Sequence, residues 1–166
     1  MNDPENVKGR TVHVAVIGGR KVSDALLAEA EKVGEYLAER NSVLVCGGLG
    51  GVMEAACRGA KRRGGVTIGI LPGGDREAAN PYVDYIIPSG MGLLRNGLII
   101  NSAEGAIAVG GHYGTLSEMA FALQRAIPLV SLRSWTLDTG IKTAESAKEA
   151  VDLLFDLIAS KKRFAR

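Results

Sequence analysis

Short apolar runs alternate along this chain with stretches in which apolar residues recur every three or four positions, and glycine marks most of the switches. Val12 to Ile17 is apolar throughout except for His13, and Gly18-Gly19 closes the run. A continuous rather than alternating run is what a strand covered on both faces requires. Ser23 is suited to cap a helix, and Leu26, Ala30, Val33 and Leu37 then fall on one helical face. Val43 to Cys46 reads as a second strand, closed by Gly47-Gly48, and Val52 to Arg63 as a second helix stopped by Gly64-Gly65. Val66 to Leu71 is a third strand, ended by Pro72-Gly73-Gly74. Beyond it the pattern predicts a short strand over Tyr85 to Ile87, a helix over Met91 to Ala103 and a strand over Gly105 to Val109. A helix over Thr115 to Ala126, a strand over Pro128 to Leu132 and an amphipathic helix over Thr143 to Ser160 complete the series. Arg133 to Lys142, which holds the single tryptophan, carries no clear period.

Alternating strand and helix implies one α/β domain over residues 1–166: a Rossmann-like, mostly parallel sheet of about six or seven strands with helices on both faces. Residues 1–10 and 161–166 read as flexible ends, and Lys161-Lys162-Arg163 as a solvated tail. In such sheets ligands bind beyond the carboxyl ends of the strands, where strand order reverses. Gly18-Gly19, Gly47-Gly48, Gly73-Gly74 and Gly110-Gly111 all fall at those ends.

Composition sharpens this picture at one point. The chain has 22 glycines in 166 residues, near twice the usual share of roughly 7%. Without repeats to explain it, that excess points to loops with unusual backbone angles or close approach to a ligand. Net charge is only +2, and the dense basic run Arg58, Lys61, Arg62, Arg63 lies at a helix end, where cations complement the dipole. Nucleic acid is therefore not an expected partner. No apolar stretch is long enough to span a membrane, and the first residues lack a signal-peptide layout, so a cytoplasmic location is expected. Cys46 and Cys57 form no C-x-x-C pair, and two histidines and two cysteines so scattered make no metal site. His13 reads as a structural residue of the first strand.

The most informative stretch is Gly110-Gly111-His112-Tyr113-Gly114-Thr115-Leu116-Ser117-Glu118, which follows a strand and opens a helix. Free backbone N–H groups and the positive helix end meet there and favour a phosphate, and Thr115 adds a hydroxyl donor. Glu118 carries two readings. Thr115-x-x-Glu118 has the spacing of a capping box, in which the glutamate reaches back to its own helix N-terminus; the same carboxylate is equally placed for catalysis. His112 either contacts the phosphate or tolerates an unusual backbone angle. Pyridoxal phosphate chemistry is not expected, since the Gly110 to Glu118 run holds no lysine, and no G-x-G-x-x-G, G-x-x-x-x-G-K-[ST] or G-x-S-x-G motif is present.

The Gly110 to Glu118 run resembles the P-G-G-x-G-T-x-x-E signature of the LONELY GUY, or lysine decarboxylase-like, proteins, which are nucleoside 5′-monophosphate phosphoribohydrolases. The resemblance covers nearly the whole chain. Val45-Cys46-Gly47-Gly48 with Gly51-Val52-Met53 is similar to the family's second-strand loop, Gly65 to Pro72 to its third strand, and Met91-x-x-x-Arg95 to its M-x-x-R-K element. Four departures stand out. Gly110 replaces proline, His112 replaces glycine, Asn96 replaces lysine, and Met91 is one residue farther from Arg95 than usual. They bring the chain closer to a small prokaryotic branch that includes molybdenum cofactor carrier proteins.

The resemblance implies catalytic roles for Arg95 and Glu118. Gly18, Gly19, Gly47, Gly48, Met91, Gly110, Gly111, His112, Tyr113, Gly114 and Thr115 would line the phosphate and nucleotide. The implied reaction cleaves the N-glycosidic bond of a nucleoside monophosphate to free base and ribose 5-phosphate. Glu118 would stabilise charge on the ribose ring and Arg95 would clamp the phosphate. The other branch implies a binding or carrier protein for a phosphorylated ligand, such as molybdenum cofactor or a nucleotide, or a nucleotide-sensing subunit. Neither reading requires a resident cofactor or metal. The family also implies a homodimer or homotetramer. The apolar content of the helices over 52–63 and 91–103 adds to that expectation.

Overall fold

In the computed structural model, which describes residues 10–137 and 140–164, each apolar run becomes a strand and each periodic stretch a helix. The order is β1 (His13–Gly18), α1 (Asp24–Glu39), β2 (Val43–Cys46), α2 (Val52–Arg62), β3 (Val66–Leu71), β4 (Tyr85–Pro88), α3 (Asn96–Asn101), β5 (Gly105–Val109), α4 (Tyr113–Gln124), β6 (Leu129–Leu132), β7 (Lys142–Ala144) and α5 (Ala147–Phe164). The seven strands form one sheet in the order β4-β3-β2-β1-β5-β6-β7, and every pairing is parallel. This is the Rossmann-like α/β architecture expected from the sequence.

The central strand shows why its residues had to be apolar on both sides. Val14 and Val16 join the core beneath α1, α2 and α5, while Ala15 and Ile17 join the core beneath α3 and α4. Ser23 caps α1, its hydroxyl accepting the Leu26 N–H at 3.3 Å. The crossing of α1 and α2 depends on two glycines. A Cβ on Gly34 would lie 1.9 Å from the Ala56 carbonyl oxygen, and one on Gly59 would lie 1.9 Å from that of Glu31. The apolar face of α2 is thus buried within its own chain, so that helix supplies no argument for a partner subunit.

Three element boundaries differ from the pattern-based expectation. The 91–103 helix shortens to a 3-10 turn over Gly92–Arg95 followed by α3. Gly90 and Gly92 adopt φ of 65° and 57°, in the left-handed region, so a regular helix cannot start at Met91. The α4 helix starts at Tyr113 rather than Thr115. The last helix was expected from Thr143, but Lys142–Ala144 instead pairs with Val130–Leu132 as an edge strand. Three residues, two of them polar, give no periodic signal. Of the ends expected to be flexible, most lie outside the described residues. Lys161-Lys162-Arg163 is part of α5 rather than a tail, and Lys161 Nζ donates to the Ala126 carbonyl at 2.7 Å.

Candidate functional site at the switch point

The strand order reverses between β1 and β5, so their carboxyl ends diverge and open a cleft. Gly18-Gly19 floors it because nothing larger fits. A Cβ on Gly18 would lie 2.4 Å from the Val109 carbonyl oxygen, and one on Gly19 would lie 3.2 Å from Gly111 Cα. The Gly19 carbonyl also accepts the Val52 N–H at 3.0 Å, tying the β1 loop to the start of α2. The cleft has a volume of about 820 Å³, within the usual range for small-molecule sites of roughly 300–1,000 Å³.

One wall is the N-terminus of α4. Gly111 reaches it with φ of 104°, and a Cβ there would lie 2.1 Å from Thr115 Oγ1. His112 is the N-cap residue, extended at φ −117°, and no side chain caps the helix. The first-turn N–H groups have no intrahelical acceptor and present the positive end of the dipole. The unusual-angle reading of His112 is therefore wrong: its backbone is ordinary, and its carbonyl accepts from Leu116 N–H at 3.0 Å and Trp135 Nε1 at 3.1 Å. The capping-box reading of Glu118 also fails. With the cap at His112, Glu118 sits three helical positions too far along to reach back, and it points into the cleft instead.

Opposite α4 stands Arg95, the last residue of the 3-10 turn. Arg95 and Glu118 are both buried, at 8% and 6% exposure, and Arg95 Nη1 lies 3.7 Å from Glu118 Oε1. At that distance the two side chains face each other without a direct hydrogen bond. The guanidinium is held otherwise: Nη1 donates to Asn96 Oδ1, and Asn96 Nδ2 donates to Ser117 Oγ at 2.9 Å. Its Nε is buried and has no partner among the described residues. Gly47 has no side chain because a Cβ there would lie 2.7 Å from Arg95 Nη2. Burial dominates the electrostatics. It pushes the Glu118 carboxyl from the ordinary 4.5 up to about 8, with the Arg95 charge only partly opposing, and pulls the Arg95 guanidinium below its usual value.

The expected site residues divide by position. Gly18, Gly19, Gly47, Arg95, His112, Gly114, Thr115 and Glu118 line the cleft. Gly110 and Gly111 line an adjoining cavity on the far side of the same turn. Gly48, at φ 73°, supports the loop by packing against Leu71. Met91 heads the 3-10 turn, half exposed, outside both cavities. Tyr113 is exposed and stacks on Trp135, with ring centroids 5.9 Å apart. Sequence reasoning missed Arg20, Lys21 and Leu93, which also line the cleft. The first two follow directly on the Gly18-Gly19 turn, and that adjacency was the available signal.

Other candidate chemistry is structural. His13 Nδ1 lies 3.3 Å from the Ser102 carbonyl oxygen. Cys46 and Cys57 are buried thiols 3.5 Å apart, and Cys46 Sγ accepts the Gly48 N–H at 3.3 Å. Among the described residues no three metal-binding side chains gather, and no helix is long and apolar enough to cross a membrane.

The architecture recurs in known proteins. Residues 11–158 match the model of the SLOG cluster4 family. An uncharacterized protein of Archaeoglobus fulgidus is 39% identical over 143 residues, covering 86% of this chain and 94% of its own length. The molybdenum cofactor binding protein of the phototrophic bacterium Rippkaea orientalis superposes with a TM-score of 0.85 at 33% identity, over 90% of this chain and 98% of that one. The molybdenum cofactor carrier protein of Chlamydomonas reinhardtii superposes with a TM-score of 0.82 at 31% identity, over 90% and 99% of the two chains. The chain belongs to the SLOG cluster4 family, and its structural neighbours include molybdenum cofactor carrier proteins.

Proposed function

Starting from membership of the SLOG cluster4 family, we propose that this chain binds and carries a phosphorylated small molecule, of the class of the phosphorylated pterin that forms molybdenum cofactor. One observation carries the reading: a buried Arg95 with an unused donor faces an uncapped helix N-terminus across a glycine-floored cleft. The phosphate rests on the first-turn N–H groups of α4 and on Thr115, where the dipole favours an anion. The flat ring system lies over Gly18, Gly19 and Gly47, whose bare backbone lines the cleft and lets a ligand approach closely. Arg95 gains most from an entering anion, because a buried guanidinium with an idle donor makes short, charge-assisted bonds when an acceptor arrives. Asn96, in place of the hydrolases' lysine, keeps the guanidinium turned toward α4 through Ser117.

The second reading, hydrolysis of a nucleoside monophosphate, draws on Glu118 lining the same cleft. Stabilising a ribose oxocarbenium ion needs an ionised carboxylate. Burial that lifts the Glu118 carboxyl to about 8 leaves it protonated at neutral pH. Such a group donates a hydrogen bond, to a phosphate oxygen for example, which favours binding over cleavage. Two assays on the purified protein separate the readings. Retention of molybdenum cofactor through gel filtration, followed by the fluorescence of its oxidised pterin, is expected for the carrier. Release of free base and ribose 5-phosphate from a panel of nucleoside monophosphates, lost in Glu118→Gln, would overturn it.

The ligand is small rather than a nucleic acid. Arg58 and Arg62 pair with Glu31, Arg63 pairs with Glu35 and Glu39, and Lys61 pairs with Asp84, so the basic run is spent within the chain. We place a subunit contact of a homodimer on Leu93, Leu94, Leu98 and Phe121, exposed apolar residues beside the cleft mouth. Leu94→Glu is expected to shift the sizing profile to monomer.

A further inference from the structure

The glycine turn that separates β5 from α4 has two sides. The cleft occupies one. On the other lies a second cavity of about 520 Å³, which shares Lys21 and His112 with the cleft. We propose that this compartment seats a second acidic group of the same ligand. The bound molecule would then be elongated and anionic at both ends rather than a simple monophosphate. The inference rests on the phosphate seat at α4 described above.

Four features of the compartment support this. Its charged lining is cationic, Lys21 and Arg133, and among the described residues neither pairs with a carboxylate. Among the described residues, Arg133 Nη2 donates to a backbone carbonyl, that of Glu145, at 3.2 Å. Two cations without counter-charge among the described residues, around a concave surface, suit an anion. Arg133 also holds a left-handed backbone, φ 50°, that a long side chain rarely adopts. A strained arginine at a cavity wall is the kind of outlier that points to a ligand contact. The compartment is rigidly joined to the first seat: Ser134 Oγ donates to the Gly110 carbonyl and Trp135 Nε1 to that of His112. Finally, Gly110 and Gly111 form a partition without side chains, so a ligand can lie along the turn and address both compartments.

The test uses calorimetric titration of the full chain with a graded series of α,ω-alkane bisphosphonates, each against the matching alkyl monophosphonate. One chain length is expected to bind roughly tenfold tighter than its monophosphonate, because the second group binds at high effective concentration once the first is seated. Arg133→Asn, a residue that accepts the left-handed backbone, is expected to erase that advantage and leave monophosphonate affinity unchanged. A melting curve confirms that the variant is folded, and Trp135→Ala provides a second variant on the same wall. Bisphosphonates no tighter than monophosphonates at any length would overturn the second compartment while leaving the first seat standing. An advantage that survives in both variants would overturn it too. No binding of either series would remove the phosphate seat and this inference together.

Discussion

Two sets of arginine–glutamate pairs show how the same residue types serve opposite ends. On the outer face, Glu31 of α1 accepts from Arg58 of α2 at 3.0 and 2.8 Å, and Arg62 adds a further contact. The hydrogen bonds from Arg58 outweigh partial burial and hold the Glu31 carboxyl below its usual value. In the cleft, Arg95 and Glu118 approach only to 3.7 Å, both buried, and burial wins: the carboxyl moves up. The outer pairs are closely hydrogen-bonded and their arginines reach solvent, so they hold two helices in register. The inner pair is dry and short of partners, a state that costs stability and is tolerated where a ligand completes it.

The largest effects should come from backbone crowding, and they should separate the two regions. Gly59→Val, at the α1–α2 crossing, is expected to cost about 3 kcal/mol or more in chemical denaturation. Its effect on ligand binding should track the unfolded fraction alone. Gly111→Ala puts a Cβ against Thr115 at φ 104°. It is expected to cost about 1–3 kcal/mol of stability but to remove phosphate binding from the population that stays folded, as calorimetry would show. Equal losses from both variants would erase the distinction between frame and site.

Next in size is the inner pair itself. Arg95→Met is expected to weaken phosphate-ligand binding by roughly tenfold to a hundredfold, while the melting temperature holds or rises because Glu118 stays protonated. A folding defect would mean that Arg95 serves the core.

Glu118→Gln tests the raised carboxyl by its pH dependence. Below pH 4.5 this carboxyl is protonated in both folded and unfolded chains; above that the unfolded chain loses the proton first. The stability tied to the protonated form is therefore full below 4.5 and is lost as pH rises through about 8. Glu118→Gln stays neutral, so its stability relative to wild type should grow over that window, reaching about 1–3 kcal/mol above it. Phosphate affinity should fall through pH 8 in wild type, as a second negative charge appears, and stay level in the variant.

The smallest effect belongs to the outer pairs. Arg62→Ala, at a side chain 60% exposed, is expected to change stability by less than about 1 kcal/mol and ligand affinity not at all.

Much of the frame was legible because it is local. Val12 to Ile17, Val43 to Cys46 and Gly105 to Val109 could only be covered strands, and their closing glycines marked the ligand edge. Boundaries were harder where glycine acts through its backbone angle, as at Gly90 and Gly92, or where a strand is short and polar, as at Lys142–Ala144. The pairing of Arg95 with Glu118 joins residues 23 positions apart by number. No local period encodes it, and only the resemblance to a family brought the two together. That likeness could not reveal which way burial tips the carboxyl, since that depends on every neighbour excluding water. Arg133 was silent in the sequence for the same reason: it has no period, and only the fold brings it to the wall that Lys21 shares.

The most direct test of the account is the titration of Glu118 followed by NMR in protein carrying carbon-13 at the glutamate carboxyls, with Glu118→Gln supplying the assignment. One carboxyl is expected to titrate near 8 in the free protein and higher still with a phosphate ligand bound, because the added anion competes for Arg95 and disfavours a second negative charge. Glutamates that all titrate in the ordinary carboxylate range, with none responding to the ligand, would contradict it.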